Sequence, residues 1–285
     1  MKKLLVLVAS LSVLFFSACT SGKTGTAKTG LEGTKVNTYL VGEYQDKASV
    51  KAKLEAAGFS VLADYKSVKK GSTLVFTNDA IKAEAAKPGR AFAATVCRVF
   101  VDDKAKMISF TNPVYFGKAF MQDEYNHEVF GGALEKINAT FPGLKASPDQ
   151  LDFDALAGYH FMMGMPYYQD QDVLGKPNPT TADAVAKAMN YKKGKAVIFE
   201  LKLSDTTTLL GYDLGKRTKK FVKKIGRQNA ALLPWTVAIE NGQAKALNAK
   251  YYIAISYPLL DMGGFMGIAT VPGAITKDLE KAFKK

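Results

Sequence analysis

His160, Met162, Met163 and Met165 are the one group in this sequence with the donor types and spacing of a metal-ligand set. Imidazole and thioether suit Cu(I), and a haem iron accepts the same donors, so copper or haem ligation is the redox alternative for this stretch. On a helix, however, Met162 and Met165 would share a face with Phe161, the pattern of a packing stripe. Other chemistry is sparse. The chain has two histidines and two cysteines. It contains no Gly-x-Ser-x-Gly, His-Glu-x-x-His or Cys-x-x-Cys. Gly22-Lys23-Thr24 resembles the end of a phosphate loop but lacks the upstream glycine. Cys97 alternates with Val99 and Val101, which points to a core thiol rather than a reactive one. Asp102-Asp103 and Asp152/Asp154 fall in turn or loop contexts, where carboxylates are expected without a catalytic role. These absences favour a binding or structural protein over an enzyme.

The strongest electrostatic feature is the run Lys216, Arg217, Lys219, Lys220, Lys223, Lys224 and Arg227. Leu214, Phe221, Val222 and Ile225 give this run a buried side, leaving the cations to face outward. The formal net charge is +13. A basic face of this kind meets anionic lipid, where each basic residue adds about 1 kcal/mol. Nucleic acid is not the expected partner, because the predicted compartment is extracytoplasmic.

That compartment is read from the N-terminus. Lys2 and Lys3 precede an apolar run, Leu4–Phe16, that is too short to span a bilayer and fits the core of an export signal. Phe16-Ser17-Ala18-Cys19 resembles a bacterial lipobox. Residues 1–18 are therefore expected to be a signal peptide, with Cys19 acylated at the new N-terminus. Residues 19–34, rich in Gly, Thr, Ser and Lys, are the expected tether. With Cys19 acylated only Cys97 remains, which excludes an internal disulfide. The address is a bacterial cell envelope, lipid-anchored and facing the periplasm or exterior.

Beyond the tether, hydrophobic periodicity predicts a β-α-β-β-α-β-β-α module over residues 35–140. Strands are expected at Val36–Tyr44, Phe59–Tyr65, Thr73–Thr77, Ala94–Val101 and Met107–Thr111. Asp46 and Asn78 start helices, Gly58 closes the first, and the last helix is expected over Phe120–Ala139. Residues 141–179 form a connection, with a helix expected after Ser147-Pro148-Asp149. From residue 180 the pattern resumes to residue 285. It has a helix at Ala182–Met189, strands at Ala196–Leu203 and Thr207–Asp213, and a helix at Gly215–Ile225. Strands at Leu232–Ile239 and Leu247–Tyr257 and a terminal helix complete it. Val50 and Val185, and Thr73 and Thr208, are 135 residues apart; Val99 and Val237 are 138 apart. Pro113 with Phe120-Met121 aligns with Pro258 with Phe265-Met266, at an offset of 145. Each Pro is read as a strand terminator and each Phe-Met as a helix start, with a possible ligand pocket at the junction.

The residues Leu209-Leu-Gly-Tyr, Leu232-Leu-Pro-Trp-Thr-Val-Ala-Ile-Glu, Ile255-Ser-Tyr-Pro and Phe265-Met resemble the domain-of-unknown-function family 302. Residues 35–140 look like a more diverged copy. The resemblance implies an α+β fold: tandem modules, each a curved antiparallel sheet with helices on one face, like half of the TATA-binding protein. It implies no chemistry. The expectation is a lipid-anchored envelope protein that binds a small ligand or a partner protein, with a purely structural envelope role as a further alternative.

Overall fold

A computed structural model describes residues 29–284. Its first sheet contains β2 (Tyr39–Glu43), β3 (Ser60–Val68), β4 (Gly71–Thr77), β5 (Cys97–Asp102), β6 (Met107–Thr111) and β7 (Lys145–Ala146), after a short β1 (Lys35–Asn37). Its helices are α1 (Lys47–Ala56), α2 (Asp79–Ala85), α3 (Pro113–Met121) and α4 (His127–Thr140). The connection adds β8 (Gln150–Asp152) and β9 (Asp172–Val173). Then come α5 (Thr181–Asn190), β10 (Val197–Lys202), β11 (Thr207–Tyr212) and α6 (Val222–Ile225). The chain closes with β12 (Trp235–Glu240), β13 (Gln243–Ala246), α7 (Ala249–Ser256), α8 (Met262–Met266) and α9 (Val271–Glu280). The fold is α+β, with antiparallel sheets and helices.

Local capping explains many boundaries. Asp46 accepts from Ser49 N–H and Asn78 from Ile81 N–H, each satisfying an orphan amide at a helix start. Thr180 and Asp183 form a reciprocal capping box on α5. At the β12–β13 hairpin, Asn241 and Gly242 both have positive φ (49° and 78°), as a two-residue turn with matching twist requires. A Cβ on Gly242 would lie 2.1 Å from the Asn178 carbonyl oxygen, so only glycine fits where the connection crosses this hairpin.

The larger sheets run β3-β4-β5-β6-β2-β7 and β10-β11-β12-β13-β9. Setting β7 aside, the two orders correspond strand for strand. Their central strands are buried on both faces. In the first sheet, Leu74, Phe76, Cys97, Val99 and Phe110 belong to the main core, where Phe76 packs edge-on against Phe59 and Phe110. The opposite face carries Thr73 and Arg98. It is covered by the 3₁₀ turn Arg227–Leu232, which comes from the other half of the chain. Reciprocally, the 3₁₀ turn Ala91–Thr95 packs on β11 and β12. One continuous core holds residues of both sheets.

The halves are also joined by tyrosines. Tyr115 on α3 donates to the Ile255 carbonyl at 2.8 Å, and Tyr251 on α7 donates to the Ala119 carbonyl at 3.4 Å. Tyr251 follows Tyr115 by the same 136 residues that separate Ile255 from Ala119, so the contact is reciprocal. Tyr39 adds a bond to the Ser256 carbonyl at 2.9 Å. Tyr115→Phe is expected to lower stability by about 1 kcal/mol, and Tyr251→Phe by less because its bond is longer. Denaturant titration of each variant checks the order.

Several expected elements are corrected. Leu247–Tyr257 is not a strand. Asn248 caps α7 there, accepting from Lys250 N–H, and every residue from Tyr251 to Ser256 is buried, so the sequence shows no alternation to read. Asn112 caps α3 in the same way, accepting from Val114 N–H. Asn248 thus corresponds to Asn112, and Pro258 is not the counterpart of Pro113. Pro113 begins α3 at a first-turn position that needs no N–H, instead of closing a strand ahead of a helix at Phe120. The single helix expected over Phe120–Ala139 is the end of α3 followed by α4. Gly215–Ile225 is a 3₁₀ turn, Thr218–Phe221, leading into the short α6. Leu232–Ile239 begins later as β12, because Arg227–Leu232 is a 3₁₀ turn.

The connection holds no helix at Ser147. Its β7 pairs with β2, β8 with β1 and β9 with β13, so it stitches both sheets instead of linking them loosely. The end of the expected tether is also docked: Gly33 N–H donates to Asp154 and Phe153 N–H to the Thr34 carbonyl. Cys19, the expected signal peptide and the expected tether up to residue 28 lie outside the described residues.

Candidate functional site: a lysine-lined groove

Two turns that are distant in sequence face each other across a groove. One wall is the β3–β4 hairpin, whose tip is Lys69-Lys70-Gly71. Lys70 takes a positive φ of 56° there. Gly71 lets this tip lie against Phe100, since a Cβ would come within 2.7 Å of the ring. The other wall is the basic segment from Lys216 to Arg227. Its buried side is as expected: Leu214, Phe221 and Val222 are in the core. Asp278 on α9 fixes the start of the segment by accepting from Gly215 N–H at 2.9 Å and from the Thr218 hydroxyl.

Between the walls lie two adjoining cavities. One, of about 500 Å³, is lined by Lys69, Lys70, Lys104, Lys223 and Arg227. The other, of about 420 Å³, is lined by Lys66, Ser67, Val68, Lys69, Lys216, Lys219, Lys220 and Lys223. Lys69 and Lys223 line both, so the two spaces adjoin.

Arg227 sets the spacing. Its Nε and Nη2 donate to the Asp102 carboxylate at 2.8 and 2.7 Å, a bidentate pair. Its Nη1 donates to the Lys69 carbonyl at 2.8 Å, and Nη2 also reaches the Lys70 carbonyl. One guanidinium thus holds the hairpin tip to the second wall while its plane lies over Phe100 at 5.9 Å. Asp102 is buried and accepts further bonds from Lys104 N–H and Ala105 N–H. Burial alone would raise its pKa, but Arg227 and the two backbone amides outweigh burial and hold the carboxyl below the usual range.

At the other end Lys219 pairs with Asp213 at 2.8 Å and also donates to the Tyr65 hydroxyl at 3.1 Å, while Tyr65 donates to Asp213. Desolvation, then the bond to Asp213, push the Tyr65 pKa upward, so the phenol keeps its proton. The remaining groove cations, Lys66, Lys69, Lys70, Lys104, Lys216, Lys220 and Lys223, make no ion pair among the described residues. Seven ammonium groups gathered on the two walls and on the β5–β6 turn repel one another, and a bound anion relieves that repulsion.

The expected outward array of the basic run is therefore corrected in part. Lys216, Arg217, Lys220 and Lys223 are exposed. Arg227 and Lys219 are engaged as described, and Lys224 donates to the Gly267 carbonyl at 3.2 Å. The Phe-Met junctions are corrected too. Pro113, Phe120 and Met121 are buried, and Phe120 fills its surroundings by stacking on Tyr168 and meeting Tyr252. Phe265 is buried against Phe161, whereas Met266 is 65% exposed. The structure does not bring Pro258, Phe265 and Met266 into a place equivalent to the first set.

His160, Met162, Met163 and Met165 lie in an irregular loop, not on a helix. Met163 is 95% exposed and Met165 packs partly against the core, so the sulfurs do not share one chamber. His160 packs its ring against Tyr167 instead, 4.4 Å between centroids. Cys97 is fully buried, and desolvation drives its thiol pKa up, as a core position implies.

Sequence reasoning missed half of the groove. Lys69 and Lys70 fall between the two expected strands Phe59–Tyr65 and Thr73–Thr77, where no motif singles them out, and Asp102 read as an idle turn carboxylate. The one signal available was that the β3–β4 tip, Lys66–Gly71, like the basic run, carries lysine without acid.

No family model, curated relative or solved structure matches the chain. Function has to be argued from the site itself.

Proposed function

We propose that this chain is a binding protein for a small, multiply charged anion bearing phosphate or carboxylate groups, held near a lipid surface by its N-terminal segment. The observation that carries the reading is the groove: two adjoining cavities that share Lys69 and Lys223 and are walled by nine cations, of which Lys219 and Arg227 alone are ion-paired among the described residues. Lysine ammonium groups act as adaptable point charges, so the site suits clustered charge more than one fixed carboxylate geometry. The lipobox-like Phe16–Cys19 supports the anchored address. Kinship with the domain-of-unknown-function family 302 is part of the same proposal, supported by the quoted residues and by an α+β fold of antiparallel sheets.

Calorimetric titration of the full chain with inorganic tripolyphosphate tests the site. Saturable binding that weakens with added salt is expected. Lys69→Glu with Lys223→Glu should lower affinity at least about 100-fold, since each residue serves both cavities and a hydrogen bond to a charged group contributes about 1.5–3 kcal/mol. Equal affinity in the double variant would overturn the assignment.

A further inference from the structure

Five exposed apolar side chains gather where the basic segment ends. Leu259 (62% exposed), Met262 (45%) and Met266 (65%) lie on the loop after α7 and on α8. Met162 (42%) and Met163 (95%) lie on the loop before β9. The Phe161 and Phe265 rings stack with centroids 5.0 Å apart and planes at 19°, which sets the two segments side by side. The bond from Lys224 to the Gly267 carbonyl then ties this platform to the lysine wall. Asp261 is the single acid in residues 158–167 and 257–268, and its carboxylate is occupied in capping Gly264 N–H at 2.7 Å.

We infer that this platform is a bilayer-contact face. Its methionine and leucine side chains enter the interfacial region of an anionic membrane, and the adjoining Lys216, Arg217, Lys220 and Lys223 meet the headgroups. Soluble surfaces rarely leave apolar side chains clustered in this way without a use. Unbranched thioethers adapt to a fluid, irregular environment better than a fitted protein surface demands. Long cationic side chains can keep their charge at the headgroups while their stems follow the apolar layer. Charge decides the occupant. An exposed apolar patch bordered by cations, with its one acid tied up locally, is complementary to an anionic lipid surface. The inference goes beyond the groove and does not need the groove to bind a ligand.

The test places a polarity-sensitive fluorophore on the platform of the full chain, using Met266→Cys in a Cys19→Ser background; Cys97 is fully buried and stays unlabelled. The control site is Met189→Cys on α5, which is 40% exposed. The apolar run Leu4–Phe16 can itself hold the chain on vesicles, so the local probe is read instead of the bound fraction. On vesicles of equal parts phosphatidylglycerol and phosphatidylcholine, the probe at 266 is expected to shift to the blue and to be quenched by acyl-chain nitroxide lipids. The probe at 189 should do neither. Pure phosphatidylcholine vesicles should give a smaller shift, and Met262→Glu or Arg217→Glu, neither of which lines the groove, should reduce it. These substitutions should leave tripolyphosphate binding at Lys69 and Lys223 measurable, which separates failure of the platform from failure of the groove. A vesicle-bound chain with no shift at 266, or the same shift at 189, overturns the inference. So does a shift that rises with protein concentration without vesicles, which would make the platform a contact between copies.

Discussion

Replacing Arg98 with leucine is expected to lower the unfolding free energy by about 3–5 kcal/mol, the largest single effect anticipated in this molecule. Arg98 is 2% exposed and sits on the face of β5 turned toward the other half of the chain. Its guanidinium donates to the carbonyls of Thr95 at 2.9 Å, Ala231 at 3.2 Å, Leu232 at 2.8 Å and Pro234 at 2.8 Å. Carbonyl oxygens, rather than a carboxylate, compensate the buried charge. Leucine would remove the donor and leave several buried acceptors unpaired, which costs more than the bonds themselves contribute. The loss is a large share of an ordinary domain stability of about 5–15 kcal/mol. Urea titration should show a lower midpoint with an unchanged slope. Arg98→Lys should recover only part of the loss, because an ammonium cannot fan across two segments as the planar fork does. A leucine variant within about 0.5 kcal/mol of the parent, the scale of a neutral surface change, would refute this role.

Asp102→Asn is the second large effect, and it joins stability to binding. The substitution takes the negative charge from beneath Arg227, which is itself mostly buried, and should lower stability by about 2–3 kcal/mol near neutral pH. The pH dependence follows from the direction of the shift. The folded-state pKa of Asp102 is lowered, because Arg227 and the Lys104 and Ala105 amides outweigh the opposing effect of burial. A carboxyl whose folded pKa lies below its unfolded value of about 3.9 contributes stability above that value. The contribution is lost as pH falls through the folded pKa. The parent should therefore lose stability on acidification below about pH 4, and Asp102→Asn should lose less over the same interval. Asp278 is lowered in the same sense and remains in the variant, so the acid limb should flatten without vanishing. Because Arg227 also holds the Lys69 and Lys70 carbonyls, Asp102→Asn should weaken tripolyphosphate binding even though no groove lysine is changed. Unaltered affinity would mean that Arg227 does not set the spacing of the walls.

What the sequence alone determined was local. Asp46 and Asn78 announced helix starts because a capping side chain acts within three residues of itself. The alternation of Cys97, Val99 and Val101 against Arg98 and Phe100 placed the two faces of β5, since strand side chains alternate whatever the sheet packs against. The α+β class, implied by the resemblance, agrees with the antiparallel sheets and helices observed. The buried side of the basic segment was legible in Leu214, Phe221 and Val222.

Tertiary structure decided the rest. It turned Leu247–Tyr257 into a helix, because the unbroken buried run Tyr251–Ser256 carries no period to distinguish helix from strand. It moved the counterpart of Pro113 from Pro258 to the residue after Asn248, since helix caps and not residue identity define equivalent positions. It also took His160 and its methionines out of any shared chamber. Above all it made the groove. Lys69 and Arg227 are separated by 158 positions, and no local propensity encodes their meeting. Each half supplies one wall, and the Arg227–Asp102 pair that holds the walls together forms only once both halves have packed into one core.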